Sequence, residues 1–252
     1  MKIDTSLTRV KREEIISSLL KNKGLILDAG CGKGRYIDYF NKNKIIAIDI
    51  SKSSIKKIKL LNNKNYYLIS DATCLPFKNN MFDFILFSEV IEHLDNPYKA
   101  LVELERVLKV NGTMIISTPS ANFPFIWDIE NYLRKKLNKR VKKKLTIFTN
   151  WTPKHKKLFS CNELINYLNH SFKIERVIYS GHIFTPILTF IWYILHTFYL
   201  KINQFLKTRI VKMIFSKVFL MFLYISKYED KLFKNEPCIN IIIEVKKRRS
   251  IG

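Results

Sequence analysis

The sequence predicts an α/β fold built on a mostly parallel sheet, and three observations predict it. Short runs rich in Ile, Leu and Val alternate with amphipathic stretches, each run is bounded by a turn signal, and a glycine-rich turn joins the first run to the next segment. Strands that are apolar almost throughout belong in a parallel sheet covered on both faces. Ligand chemistry is then expected at the carboxyl ends of the strands.

The predicted strands are Leu25–Ala29, Ile45–Ile50, Tyr66–Ile69, Phe82–Phe87 and Thr113–Ser117. Gly30, Gly32 and Gly34 come after the first, Asp49 and Ser51 close the second, and Pro76, Pro97 and Pro119 lie beyond the others. Between them Lys33–Asn41, Ser51–Leu61 and Pro97–Lys109 read as helices. The last has the clearest pattern: Ala100, Leu101, Leu104, Val107 and Leu108 share one face, Pro97 suits a first turn, and Asn111-Gly112 supplies a stop. Later come a helix over Asn162–Asn169, a strand over Phe172–Tyr179 and a final strand over Ile239–Val245. A long apolar insertion separates the last two strands.

Composition narrows the function classes. With 47% apolar and 26% charged residues in 252, the chain is neither mainly disordered nor collagen-like nor a coiled coil. The 44 Lys and Arg against 21 Asp and Glu give a net charge of +23, which draws a negatively charged partner, nucleic acid or an anionic membrane surface. A general drift toward Lys, Asn and Ile is the bland explanation of the same charge. Cys31, Cys74, Cys161 and Cys238 form no CxxC pair, so neither a zinc site nor a disulfide framework is indicated, and a reduced, cytoplasmic setting is expected. The first twenty residues carry acids and polar residues throughout, without the apolar core of an export signal.

The most informative segment is Leu27-Asp28-Ala29-Gly30-Cys31-Gly32-Lys33-Gly34, where strand gives way to helix. Glycines there let the backbone turn tightly and leave room for a ligand against main-chain N–H groups. Asp49, 19 residues beyond Gly30, ends the next strand, where a carboxylate can accept from both hydroxyls of a ribose. Asp71-Ala72, after the third strand, offers a side-chain acceptor and a backbone donor to the edge of an adenine. The spacing is GxGxG, not the GxGxxG of dinucleotide sites, which favours a ligand without phosphates.

The ordered segments LDAGCGKG, AIDIS, DATCLPF, FDFILFSEVIEHLDNP and RVLKVNGTMIISTPS resemble the class I S-adenosylmethionine-dependent methyltransferases, in particular the branch of the ubiquinone- and menaquinone-biosynthesis enzymes, over roughly residues 20–120. The resemblance implies a Rossmann-like sheet of seven strands in the order 3-2-1-4-5-7-6 with the last strand antiparallel. It implies S-adenosylmethionine as cofactor. Asp28, Gly30 and Gly32 would surround the methionine part, Asp49 would bind the ribose, Ile50 would pack on the adenine and Asp71 with Ala72 would contact it. Ser88 and Glu89 would approach the methionine end. The expected layout is a methyltransferase domain over 1–182 and 235–252, with the insertion at 183–234.

Methyl transfer from a sulfonium is an in-line displacement on an activated carbon, so holding the nucleophile close and aligned supplies much of the rate, and a base helps only a protonated acceptor. Glu89, Glu92 and His93 form an ExxEH pattern at the mouth of the fourth strand. Two carboxylates and an imidazole there can hold a divalent cation that lowers the pKa of a bound hydroxyl. The pattern also resembles the metal-binding segment of quinone O-methyltransferases and of small-RNA 3′-terminal 2′-O-methyltransferases, in which His155 is the matching second histidine. Glu89, Glu92, His93 and His155 are thus a candidate metal set, and His93, Glu92 and His155 the candidate catalytic groups, with His93 as a general base. The alternative role of the glutamates is to cap the next helix or order the loop. His170, His182 and His196 read as packing or surface residues.

Arg134–Lys144 holds eight basic residues and no acid, ahead of Trp151 and of Lys154, Lys156 and Lys157, a surface suited to a phosphate backbone or to anionic headgroups. In the insertion no acid occurs from Arg176 to Tyr228, and Ile183–Leu200 is uncharged over 18 residues, the lower limit for spanning a bilayer. Lys212 and Lys217 interrupt the second apolar stretch, Ile210–Ser226, and flanking strands of one sheet require the insertion to return to its starting side. The expectation is a helical hairpin sunk into one leaflet with Lys201, Lys207, Arg209 and Lys217 at the headgroups, on a peripheral enzyme with a small or lipid-like acceptor. A soluble lid or a dimer contact is the competing reading of the insertion; the sequence assigns no oligomeric state. An RNA methyltransferase and a cofactor-binding protein without catalysis are the alternatives for the whole.

Overall fold

The computed structural model describes residues 7–20, 24–40, 44–61, 65–123, 155–206 and 209–248. The elements are α1 (Leu7–Leu19), β1 (Leu25–Ala29), β2 (Lys44–Asp49), α2 (Lys52–Leu61), β3 (Tyr66–Ile69), β4 (Phe82–Ser88), α3 (Pro97–Val107), β5 (Leu108–Pro119), α4 (Cys161–Leu168), β6 (Phe172–Ser180), α5 (Phe184–Leu206), α6 (Arg209–Leu232) and β7 (Asn240–Lys247). The seven strands lie in the expected order, β3-β2-β1-β4-β5-β7-β6. The chain divides into two compact units. One holds the described residues of Ile16–Pro119, Lys154–Ile178 and Ile241–Gly252, and the other those of Met1–Ile15, Ser120–Pro153 and Tyr179–Asn240.

The first unit carries most of the sheet. β1 pairs in parallel with β2 and β4, β2 with β3, and β4 with β5. Phe84, Ile85, Leu86 and Phe87 are all buried, as a strand covered on both faces requires. β7 runs against its neighbours: Ile239 N donates to Ser180 O at 3.1 Å at one end, and Arg248 N to Ser171 O at 3.1 Å at the other. α3 buries Ala100, Leu101, Leu104 and Val107, and the Asn96 side chain caps it by accepting from Lys99 N at 3.0 Å.

Two local expectations are corrected, and one helix was not expected. Among the described residues of Lys33–Asn41, which are 33–40, there is no α-helix; a turn leads into a 3₁₀ segment, Ile37–Phe40. With Gly32 and Gly34 both at positive φ, the backbone there takes the path of the turn and not of a helix. Asn111-Gly112 does not stop a helix but lies inside β5: Asn111 has φ +62°, and the register with β4 slips between Phe82 and Phe84, so the pair forms an irregularity in an extended segment. α1 was unforeseen because Lys11 is buried at a position where an apolar residue would have marked the face.

In the second unit the insertion forms the expected pair of helices. Leu7, Trp192, Phe219, Phe222 and Leu223 make their core, with the Trp192 and Phe219 rings 4.9 Å apart. Glu229 is buried and accepts from the backbone N–H of Ile183 and Phe184 and, at 3.1 Å, of Thr185, capping α5. Lys11 Nζ donates to Thr185 Oγ1 at 3.2 Å and Asp230 Oδ1 at 2.8 Å. His182, expected to be a packing or surface residue, is buried with Nδ1 2.9 Å from Pro237 O and Nε2 3.8 Å from Asp230 Oδ1. No helix among the described residues is long and apolar enough to cross a membrane. Arg134–Lys144, Trp151, Lys154 and Lys207 lie outside the described residues, as do the side chains of Lys201 and Arg209.

Candidate active site

The glycine turn after β1 uses its residues for different reasons. Gly30 N and Cys31 N donate to Ile48 O at 2.8 and 2.9 Å, which pins the turn to β2. At Gly30, φ is +82° and a Cβ would meet Val90 Cγ2 at 2.3 Å, so close approach demands glycine. At Gly32, φ is +51° but a Cβ would meet nothing within 4 Å, so the conformation demands glycine and open space lies beside it.

Asp49 flanks that space. Asp49 accepts from Gly32 N through Oδ2 and from Ser51 N through Oδ1, both at 2.8 Å. These bonds fix the carboxylate's orientation, and each oxygen keeps a second lone pair. Asp28, the penultimate residue of β1, is buried, and its Oδ2 has no hydrogen-bond partner among the described residues. Burial, with the negative charge of Asp49 adding to it, pushes the Asp28 carboxyl up to about 7. Burial likewise pushes the Cys31 thiol up, which leaves it unreactive. Ile50 stands 73% exposed beside Asp49, a large apolar side chain open to a ligand. Asp71 Oδ1 accepts from Thr73 N at 2.8 Å, and Ala72 is buried in the same turn.

The loop that carries Asp71 and Ala72 runs on into a clamp that no local pattern in the sequence signals. Arg106 donates to Phe77 O at 2.7 Å and Leu75 O at 2.9 Å, while Glu103 holds Arg106 Nε at 2.8 Å and accepts from Leu75 N at 2.7 Å. The hydrogen bond from Arg106 lowers the Glu103 carboxyl pKa. A Glu–Arg pair at i,i+3 on α3 is legible as a surface pair, but its reach to the loop is not.

At the end of β4, Ser88 Oγ lies 2.8 Å from Ser117 Oγ and 3.4 Å from Tyr36 Oη. Ser117 Oγ also donates to Glu89 Oε1 at 3.5 Å, and Glu89 sits at φ +57° with its N–H bound to Ser117 O. Tyr36 and Ser117 were not foreseen; their signal was position alone, just past the glycine turn and at the end of the fifth strand.

Glu92, His93 and His155 come together, with a ligand atom of each within 4.8 Å of the others. Glu92 is fully buried, its Oε2 accepting from Thr118 Oγ1 at 3.3 Å, and the His93 and His155 rings are 5.0 Å apart. The Glu92 carbonyl accepts from Lys156 N at 2.7 Å, which ties the His155 segment to this turn. Glu89 is not part of the trio. Lys156 pairs with Asp95 and Lys157 with Glu163, so these two cations of the basic cluster are locally engaged.

Residues 27–116 match the family model described as a methyltransferase domain. Those residues form a methyltransferase domain, and S-adenosylmethionine-dependent methyltransferases share its fold. The cofactor of that class is S-adenosylmethionine. Over 95 residues the chain is 36% identical to the malonyl-[acyl-carrier protein] O-methyltransferase of Buchnera aphidicola, covering 37% of this chain and 38% of that one. An uncharacterised protein of Methanocaldococcus jannaschii is 41% identical over 108 residues, 41% of this chain and 46% of the other. The chain thus spans less than half the length of either curated relative. An S-adenosylmethionine-dependent methyltransferase of Methanosarcina mazei has the same fold, with a TM-score of 0.58 at 17% identity over 93% of this chain and 97% of that one.

Proposed function

We propose that this methyltransferase moves a methyl group from S-adenosylmethionine to an oxygen or carbon atom of a small, lipid-like acceptor, working as a peripheral protein on the inner face of the cell membrane. The observation that carries the reading is the buried Asp28 oxygen with no partner among the described residues, on the strand that leads into the glycine turn. A buried carboxyl with no donor is costly unless a ligand supplies one. The residues fit the cofactor: Asp28 answers its cationic amino-acid end, the two free lone pairs of Asp49 answer the ribose hydroxyls, and Ile50 answers the flat face of the adenine. Asp71 with Ala72 would meet the adenine edge, and Ser88 and Glu89 the methionine end.

The cofactor, when bound, supplies a methyl carbon activated by its sulfonium. The chain's own part is to align the acceptor and, where the acceptor is a hydroxyl, to take its proton. His93 is the group for that proton, because its ring lies 5.0 Å from that of His155 and its Nε2 is 3.9 Å from the buried Glu92 carboxylate, which holds the imidazole in place. The clustering of Glu92, His93 and His155 favours a second reading of the same groups, as ligands of a divalent cation that lowers the pKa of the acceptor hydroxyl.

A lipid-like acceptor is supported by the apolar helices α5 and α6, whereas Lys156 and Lys157, already paired with acids, weaken the case for RNA. The test is methyl transfer from cofactor tritiated in its methyl group, offered a total lipid extract and bulk RNA in parallel. Label in the lipid phase upholds the proposal. Label in RNA alone replaces it with an RNA methyltransferase, and cofactor binding without label in either leaves a binding protein.

A further inference from the structure

We infer that the outward faces of α5 and α6 form a docking surface for an anionic lipid bilayer. The inference rests on the peripheral, lipid-facing reading above and gives it a surface. A helix on the outside of a globular unit turns polar residues to water, and one that is apolar all round is normally covered on every side. Here each helix already uses one face for the shared core, through Trp192 on α5 and Phe219, Phe222 and Leu223 on α6. The opposite faces are apolar as well. On α5, Ile191, Ile194 and Phe198 recur at helical spacing and are at least 39% exposed; on α6, Leu220, Tyr224 and Tyr228 do the same at 55% or more. Contiguous apolar surface of this extent marks an interaction site.

Charge decides among the occupants. From position 177 to 228 the sequence has six basic residues and no acidic one. Glu229 and Asp230, the first acids beyond it, are turned inward: Glu229 caps α5, and Asp230 holds Lys11 and accepts from Gly181 N at 2.9 Å. The outward stripe is therefore apolar, Lys212 and Lys217 are exposed on the same helix, Glu229 and Asp230 are turned inward, and Glu14 is taken up by Lys227 at 2.7 Å. A second copy of this chain would bring the same cations against themselves, which opposes a symmetric contact. Phosphate-bearing headgroups over an acyl interior match both features, the lysines at the headgroups and the aromatic and aliphatic tips below them. Neither helix is long and apolar enough to cross, so the docking is to one leaflet.

The experiment is flotation of the full chain with vesicles of phosphatidylcholine alone and of phosphatidylcholine with phosphatidylglycerol, together with the variants Leu220→Ser/Tyr224→Ser and Lys212→Glu/Lys217→Glu. All four side chains are exposed and none belongs to the helical core, so that core is left intact, which circular dichroism checks. The expected result is flotation with the anionic vesicles, at least about tenfold less with neutral ones, and loss of flotation in both double variants. Salt should weaken it. Failure of the unaltered chain to float, or flotation that neither double variant reduces, overturns the inference. So does a dimer in sedimentation equilibrium that the Leu220→Ser/Tyr224→Ser variant dissolves, since the face is then an interface between copies. Calorimetric uptake of S-adenosylmethionine by the same preparations tells this failure apart from failure of the enzymatic reading: a chain that binds cofactor but not vesicles loses only the docking surface.

Discussion

The Asp49 carboxylate accepts from the Gly32 backbone N–H at 2.8 Å, so the residue that ends β2 also closes the turn after β1. One side chain thus does two things: it orients itself for a ribose and it holds the glycine turn in place. Asp49→Ala should lose both, lowering affinity for S-adenosylmethionine by about 100-fold, which matches two charge-assisted hydrogen bonds at ~1.5 kcal/mol each. Asp49→Asn, which retains an acceptor oxygen but no charge, should fall between. Calorimetric titration of the three proteins checks the order.

Asp28 gives the domain a pH-dependent cost. Its carboxyl is pushed up to about 7 by burial and by Asp49, against about 3.9 for an unfolded chain. An acid raised in this way contributes stability that is fully present below the unfolded value and is lost as pH rises through the folded one. The cofactor-free protein should therefore lose melting temperature between pH 4 and about 7 through this group. Asp28→Asn, which cannot ionise, should melt higher than the unaltered chain at pH 8, with the difference shrinking toward pH 5, and should bind S-adenosylmethionine more weakly. Melting curves of both proteins across that range, with and without cofactor, measure it.

Arg106 and Glu103 hold the loop beyond Asp71 by hydrogen bonds to Leu75 and Phe77. Arg106→Ala removes these bonds and leaves the Leu75 and Phe77 carbonyls without that donor. The expected cost is ~1–3 kcal/mol of stability, with a several-fold loss of cofactor affinity because Asp71 and Ala72 are less well held. Arg106→Lys should recover little of this, since a single ammonium cannot serve three partners in a plane. Denaturant unfolding and cofactor titration in parallel separate the two effects.

The trio Glu92, His93 and His155 predicts different outcomes for its two readings. His155→Ala should abolish any melting-temperature rise caused by Mn²⁺ or Zn²⁺ if the groups bind a cation. If His93 works as a base alone, those cations should not shift the melting temperature of the unaltered chain, and His93→Ala should lower turnover by about 10²-fold or more on a hydroxyl acceptor, with cofactor affinity unchanged.

The sheet was legible because its signals are local. Near-continuous apolar runs such as Phe82–Phe87 reported burial on both faces, and Asp49 at the end of its strand marked a candidate site. Signals that depend on distant partners were not legible. Lys11 carries no local sign of burial, yet it is buried and donates to Thr185 and Asp230, and Ser117 reads as the end of a strand, yet it joins Ser88 to Glu89. Asn111-Gly112 was misread because its left-handed backbone serves a helix stop and a strand irregularity equally well, and only pairing with β4 distinguishes them. His155 was placed beside His93 through resemblance; the hydrogen bond from Lys156 N to the Glu92 carbonyl is the physical reason they meet.

The central claim is that the Asp28, Gly32 and Asp49 constellation takes up an adenosyl sulfonium. Isothermal titration of the full chain with S-adenosylmethionine, with a nicotinamide dinucleotide and a flavin nucleotide as comparators, tests it most directly. Saturable heat for S-adenosylmethionine, much reduced in Asp49→Ala, with none for the comparators, is the predicted result; no heat for S-adenosylmethionine beside tight uptake of either comparator would contradict it.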